Sequence, residues 1–560
     1  YPLNEAPLFE NVRELVEFIG ETYSEDTAYS YRINPFDEEI QRVSYRRLSH
    51  DVRCLATELV ARGLKGKHAA IIGKMSYGWA CTYLAMLSVG VVAVPLDPEW
   101  TAEDLADTVK KAECAALFCG GETLENKADA IKAGSELLTV LIDGDSVENN
   151  LSHFIMSGYE KRNGGDTSYE DAEIDAEALA LLVFTSGTTG KGKGVMLSQK
   201  ALLSNVHGSL QLISASKNSI SVLPPHHTFG SSVMLTGHAS IGAEIYISGG
   251  LKYITNELKA EKPGHLVLVP LYLETFYRKI LANIKEQGKE ATVKKGIMLS
   301  RALMKVGVDR RAQLFAAIRT AFGGEVKTII TGGAPINPEI VRFFEDIGIT
   351  VLNGYGITEC APLIAVNRSR NVVDGSVGNV IDMDTVRIDE PNEDGEGEIL
   401  VKGPNVMIGY YKNEQATAEA FKEGYFCTGD YGKLDGDNVL YITGRKKNLI
   451  ILSNGKNVYP EEIENEMMSV PGILDIIVYE GQSRRGVTHN AIVAEIYPDM
   501  DYFEKNGIED IKEYFKPYVD DYNRGAVPYK KIAILKVRKT EFPKNTLRKI
   551  MRFKLDMTID

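Results

Sequence analysis

Residues 327–356, KTIITGGAPINPEIVRFFEDIGITVLNGYG, read as one complete strand, turn, helix and strand. TIIT is a short β-branched run and GGAP a turn. Asn337 is placed to cap a helix that starts at Pro338, and Ile340, Val341, Phe343, Phe344 and Ile347 fall on one face at helical spacing. Gly348 ends the helix and ITVL opens the next strand. A helix between two strands buries its apolar face by crossing over a parallel sheet. Short apolar runs alternate with helical patterns along most of the chain, so the expected class is α/β with largely parallel sheets. In such folds ligands gather at the carboxyl ends of the strands.

The 560 residues suffice for several domains. Near residue 445 the texture changes. GRKKNLI (444–450) is short, basic and polar, and about 110 residues with their own small α/β pattern follow it. YPEEIENEMMSV is a Pro-started helix, and DIIVYE and AIVAEIY read as strands. A boundary is therefore expected at about 445–448. A net charge of −14 argues against a general nucleic-acid binder. Six scattered cysteines without a CxxC pair read as free, mostly buried thiols. The longest apolar stretch, residues 79–96, is broken by Ser88, Gly90 and Pro95, and reads as a core helix turning into a strand. The first residues carry no basic-then-apolar signal pattern, so a cytoplasmic protein is expected.

The segment FTSGTTGKGKGV (184–195) holds four glycines, three threonines, a serine and two lysines directly after the strand-like run ALALLV. Glycines let backbone N–H groups turn toward an anion, hydroxyls add donors, and Lys191 or Lys193 adds charge. The pattern GxxxxGK[ST] fits at Gly187–Lys193 but fails at Gly194, and the hydroxyls precede the lysine. A P-loop NTPase is thereby rejected, while a polyphosphate cradle stands.

Further segments in order make the loop specific. PPHHTFG (224–230), TGGAP (331–335), NGYGITE (353–359), YFCTGD (425–430), GRKKNLI, LSNGKNVYPEEIE (452–464) and PKNTLRKIMR (543–552) follow it. Together with TSGTTGKGKGV they resemble the motifs of the adenylate-forming superfamily, closest to AMP-forming long-chain fatty acyl-CoA synthetases. Two departures stand out: Gly192 occupies a place usual for proline, and Arg548 one where glycine is common.

The resemblance implies a large N-terminal adenylation domain (1–444) of two doubly wound α/β sheets plus a distorted β-barrel. A hinge (445–448) and a smaller mobile α/β domain (449–560) would follow. It implies ATP and Mg²⁺ as cofactors and CoA as co-substrate. Thr185, Ser186, Gly187, Thr188, Thr189, Gly190 and Lys193 would hold the phosphates. Gly332, Gly333, Ala334, Pro335, Gly354, Tyr355 and Gly356 would frame adenine. Asp430 and Arg445, with Ile442 nearby, would hold the ribose. Thr358 would touch the α-phosphate, and Glu359 and Thr185 would hold Mg²⁺. His227 would lie beside the acid, Lys549 would bridge the carboxylate and the α-phosphate, and Lys447 would be the hinge.

The acid segment has Gly230 near the place where amino-acid-activating relatives carry Asp, so an amino acid substrate is disfavoured. Long-chain acyl-CoA synthetases often carry extra residues before the GGAP segment, and residues 283–326 resemble such a stretch, in which Met298, Leu299, Ala302, Leu303 and Val306 repeat at helical spacing. This reads as a surface hairpin, or as a helix flanking an acyl tunnel or facing a membrane. A medium- to long-chain fatty acid is favoured over an aryl or short acid. Between Arg524 and Lys554 stand eleven basic residues and one acidic residue. That stretch suits the phosphates of CoA or an acidic acyl carrier protein. A different class, a non-catalytic acyl or nucleotide sensor on this fold, is disfavoured by the intact Lys549, Glu359, Asp430 and Arg445.

Overall fold

The computed structural model describes residues 2–132, 137–144, 147–185, 192–452, 457–482, 488–544 and 550–559. Two large sheets dominate. The first has seven strands in the order Gly409–Tyr410, Lys193–Ser198, Leu179–Thr185, Val92–Leu96, His68–Ile72, Cys114–Cys119 and Leu138–Leu141. It is parallel from Leu179–Thr185 onward and antiparallel where Lys193–Ser198 and Gly409–Tyr410 join.

The second sheet starts parallel, with His265–Leu268, Thr328–Gly332 and Thr350–Gly356 side by side. It continues antiparallel through Leu363–Val366, Gly378–Val380, Val439–Arg445, Tyr425–Leu434, Gly397–Lys402 and Thr385–Asp389. Among the described residues this path does not close on itself. The antiparallel strands expected as a distorted barrel form this open extension of the parallel half. A smaller mixed sheet pairs Thr27–Tyr31 with Gln41–Ser44 and Glu244–Ile247. The α/β class is as expected.

The unit at 327–356 folds as read. The Asn337 side chain accepts from Glu339 N–H, Pro338–Asp346 is helical, and Ile340, Val341, Phe343, Phe344 and Ile347 are buried. Gly348 ends the helix at φ +83°, a left-handed conformation that suits glycine. The following strand is longer than ITVL. It runs on to Gly356 through the NGYG segment, because Gly354, Tyr355 and Gly356 pair with Val366, Ala365 and Leu363 of the next strand. Residues 79–96 give the helix Tyr77–Ser88 and the strand Val92–Leu96. Among the described residues no helix is long and apolar enough to cross a membrane.

Residues Ile450 to Val537 gather a core cluster of their own around Val458, Ile463, Phe503 and Phe515, beneath the sheet of Ile473–Gln482, Thr488–Pro498 and Ile532–Val537. The stretch at 283–326 forms the end of helix Pro270–Glu286 and the helix Glu290–Lys305. Met298, Leu299 and Val306 point to solvent. They therefore do not line an internal tunnel. Helical spacing names a face without saying which way it looks.

Candidate active site

Two carboxylates organise the cleft between the sheets. Asp430 lies on Tyr425–Leu434 directly opposite Arg445 of the neighbouring strand. It is almost wholly buried. Its Oδ2 accepts from the Tyr355 hydroxyl at 2.7 Å, and its Oδ1 pairs with Arg445 Nε at 3.0 Å. Burial, with the Asp430 charge beside it, holds the Tyr355 phenol well above its ordinary pKa, so Tyr355 stays a donor. A carboxylate has about four acceptor sites. Two are used here, which leaves capacity for a vicinal diol.

Glu359 sits in the short turn Thr358–Cys360. Its carboxylate accepts from the Tyr410 hydroxyl at 2.9 Å, and its carbonyl from Met407 N–H at 2.8 Å. Tyr410 belongs to the two-residue strand zipped onto Lys193–Ser198, opposite Val195. Its ring lies 4.5 Å from Lys193 Nζ, a cation–π contact. Lys193 in turn lies opposite Thr185, whose hydroxyl reaches the Lys193 carbonyl at 3.4 Å. Thr185, Lys193, Tyr410 and Glu359 therefore form one chain of contacts at the root of the glycine-rich loop. A Cβ on Gly192 would stand 2.5 Å from the Thr185 carbonyl, which accounts for glycine at that departure from the family pattern. Ser186, Gly187, Thr188, Thr189, Gly190 and Lys191 lie outside the described residues.

Beside the Tyr355 strand lie the strand Thr328–Gly332 and the turn that follows it. Gly332 pairs with Gly354, and a Cβ on Gly332 would come within 2.9 Å of the Gly354 carbonyl. Gly333 has φ +87°, and Gly333, Ala334 and Pro335 are exposed. A Cβ on Gly356 would stand 2.2 Å from the Pro362 carbonyl. The glycines thus bring backbones close and leave an open, flat-walled edge. Ile442 pairs with Gly432 beside the Asp430 strand, and Thr358 opens the Glu359 turn.

Two residues that the motifs do not single out fix this geometry. One is Tyr410. The other is Asn205 on the helix Gln199–Leu212, fully buried, which donates to the Cys360 carbonyl at 3.1 Å and the Leu363 carbonyl at 2.7 Å. It also accepts from Leu363 N–H at 3.2 Å. A buried amide so fully satisfied holds the backbone that follows Glu359. Its only signal in the sequence is an asparagine within a helix whose other inward residues are mostly apolar.

His227 lies in the turn before the helix Phe229–Thr236, and its carbonyl accepts from Gly230 and Ser231 N–H, both at 2.9 Å. The adjacent His226 is buried, with Nε2 3.5 Å from Asp97 Oδ2. Val233 of that helix lines a small apolar crevice with Val206, Leu210, Ile213, Ile241 and Ile330. A buried polar ladder closes it. Ser216 Oγ is 2.8 Å from His265 Nδ1, and His265 Nε2 is 2.7 Å from His238 Nε2. His238 Nδ1 is 3.4 Å from the Val233 carbonyl. One proton per link satisfies every member with both rings neutral. Burial lowers His238 to about 4 and His265 well below its usual value.

Lys447 is exposed in the turn Lys446–Asn448. Lys549 lies outside the described residues, one position before Ile550, which is bridged to Lys544 across residues 545–549. Lys544 itself is nearly buried and paired with Asp475 at 2.7 Å and Glu541 at 3.0 Å. The basic stretch 524–554 is less free than its composition suggests. Arg524, Lys530, Arg538, Lys544 and Arg552 all pair with carboxylates, the last of them Glu464.

Among the described residues no group of three or more His, Cys, Asp or Glu could cage a metal. The Glu359 carboxylate, held by the Tyr410 phenol, and the Thr185 hydroxyl offer hard oxygen donors of the kind that a Mg²⁺ with water and phosphate ligands takes.

Residues 17–411 match the family of AMP-binding enzymes. The chain is 28% identical over 468 residues to long-chain-fatty-acid–CoA ligase FadD15 of Mycobacterium bovis, covering 78% of this chain and 75% of that protein. It is 26% identical over 566 residues to a long-chain-fatty-acid–[acyl-carrier-protein] ligase of Arabidopsis thaliana, AEE15, covering 87% and 76%. The solved structure of o-succinylbenzoate coenzyme A synthetase (MenE) from Bacillus subtilis, in complex with ATP and magnesium, shares the fold. Its TM-score is 0.71 at 21% identity, over 97% of this chain and 98% of that one.

Two outcomes test the geometry. Tyr410→Phe keeps the ring beside Lys193 and removes the hydrogen bond to Glu359, so the KM for ATP·Mg²⁺ is expected to rise roughly tenfold with the melting temperature little changed. Unaltered nucleotide kinetics would contradict the role given to the phenol. For the histidine ladder, the folded pKa values lie below the unfolded value near 6.5. The folded state then binds fewer protons. The ladder's stability is complete above pH 6.5 and is lost as pH falls toward 4. Thermal melts should show a fall over this window that is shallower in His238→Leu, and identical pH profiles would refute it.

On these observations the chain belongs to the AMP-binding enzyme family and is an enzyme of the adenylate-forming class.

Proposed function

We propose that this chain joins a medium- to long-chain fatty acid to the thiol of CoA in two steps. The acid's carboxylate oxygen attacks the α-phosphorus of ATP, and the bond to pyrophosphate breaks. The thiol sulfur then attacks the acyl carbon of the acyl-AMP, and AMP leaves. The observation that carries the reading is the pair of separately built carboxylates. Asp430 has spare acceptor capacity for a ribose, Glu359 is held by the phenol whose ring meets Lys193, and an open edge at 333–335 follows the strand that pairs with the Tyr355 strand.

In this reading Lys193 and the loop hydroxyls neutralise the β- and γ-phosphates. Glu359 and Thr185 hold Mg²⁺, which supplies further charge neutralisation when bound. Tyr355 fixes the orientation of Asp430, and Arg445 balances its charge. The glycine edge admits the base. His227 stands between nucleotide and acid. The names of the fatty-acid ligase relatives support a fatty acid as the substrate class.

Lys549 is the cation that lets two anions meet, a point charge on a long stem. The burial and double pairing of Lys544 favour Lys549 for this task. A hinge at Lys447 in the 445–448 segment, between units 1–444 and 449–560, is supported by its neighbours. Lys446 is bound to Glu398 on the strand Gly397–Lys402, and Asn448 to Glu461 on the helix Pro460–Met467. Each flank is thus tied to its own body, and the free residue between them can absorb a rotation. An acyl carrier protein as the acceptor is separated from CoA by assaying the two side by side.

The test is a pyrophosphate-release screen with acids from acetate to palmitate and with benzoates, with nucleotide products resolved by chromatography. AMP and pyrophosphate with alkyl acids support the proposal. ADP as product, or activity confined to benzoates, overturns it. Lys549→Ala should lower acyl-AMP formation at least about 100-fold and spare thiol transfer from supplied acyl-AMP. Equal damage to both steps would contradict the assignment. Lys447→Pro fixes φ and should spare acyl-AMP formation while suppressing thiol transfer. Normal transfer in that variant rules out the hinge.

A further inference from the structure

The helix Glu290–Lys305 buries a single residue, Ser300. Val293 and Ile297 turn partly toward the core, and Gly296 lies against the Phe315 ring. The opposite side carries Met298, 71% exposed, and Leu299, 50% exposed, and it continues into Val306, 73% exposed, and Val308, 40% exposed. Lys294, Lys295 and Lys305 flank these side chains and are themselves exposed. Arg301 and Arg311 are spent on Asp346 and Asp309.

The patch is also basic. Residues 289–311 hold seven lysines and arginines against two acidic residues, in a chain of net charge −14. Protruding apolar side chains ringed by lysines form the pattern of a helix that lies in a lipid interface. The apolar tips enter the acyl boundary and the long lysine stems reach the phosphates. A second copy of this chain is a poorer occupant, because a two-fold pairing would set the same positive face against itself.

We propose that the helix Glu290–Lys305 and the turn at 306–308 dock this protein on an anionic bilayer surface. The inference rests on exposure and charge, and it stands whichever acid the enzyme activates. The test uses the full chain in co-sedimentation with phosphatidylcholine vesicles and with vesicles containing 30% phosphatidylglycerol, at low and high NaCl. At low salt the wild type is expected to bind the anionic vesicles at least tenfold more tightly than the neutral ones, and to release them as salt rises. Met298→Asp with Leu299→Asp should weaken binding at least tenfold. Lys294→Glu with Lys295→Glu should abolish the preference for anionic lipid. Both double variants change exposed side chains outside the catalytic cleft, so melting temperature and pyrophosphate release without vesicles should stay at wild-type values. The proposal is overturned if the wild type stays in the supernatant at low salt, or if both double variants sediment as the wild type does. It is equally overturned if Met298→Asp with Leu299→Asp dissolves a dimer seen in sedimentation velocity and leaves vesicle binding intact.

Discussion

The hydrogen bond from the Tyr410 hydroxyl to Glu359 is the contact on which the cleft depends. It joins residues more than fifty positions apart, and it exists because the strand Gly409–Tyr410 pairs with the strand that leaves the glycine-rich loop. One edge pairing therefore sets the distance between the loop's root and the Glu359 turn. Asn205 also supports that turn, through both of the carbonyls it holds. A carboxylate held by a phenol whose ring also meets a cation would wander if either support were loose. A displacement of even 1 Å is costly where charge must be met at a developing transition state.

Asp430 repeats the design with different parts. Cross-strand register sets Arg445 opposite it, and the NGYG strand delivers Tyr355. A buried carboxylate needs such partners, since an unpaired charge there would be expensive. The two parts of the cleft draw on different sheets. The open antiparallel extension carries Asp430, while the seven-stranded sheet carries Lys193 and Tyr410. The site is thus a seam, and its dimensions follow from how the two sheets pack.

The strand–helix–strand unit at 327–356 was legible because capping residue, apolar face and terminal glycine agree locally. The extension of its second strand through NGYG was not, because it depends on a partner strand that follows a separate turn. Asp430 and Glu359 were legible only through their motifs, and the geometry supplies the reason each is placed as it is. Tyr410 and Asn205 escaped because their roles come from contacts distant in sequence and invisible to periodicity. The outward face of Met298 and Leu299, and the pairing of Arg538 and Arg552 with carboxylates, show the same limit. Composition reports how many charges or apolar groups a segment holds, and tertiary packing decides which remain available.

The central claim is that Glu359 acts on the nucleotide only in the alignment that Tyr410 imposes. Its most direct test is a double-mutant cycle, with Glu359→Gln and Tyr410→Phe made singly and together and ATP·Mg²⁺ affinity measured by calorimetry. The account predicts a coupling of at least about 1 kcal/mol, since either change alone should spoil the same interaction. Effects that add to within about 0.3 kcal/mol would mean that the two side chains act independently, and would contradict it.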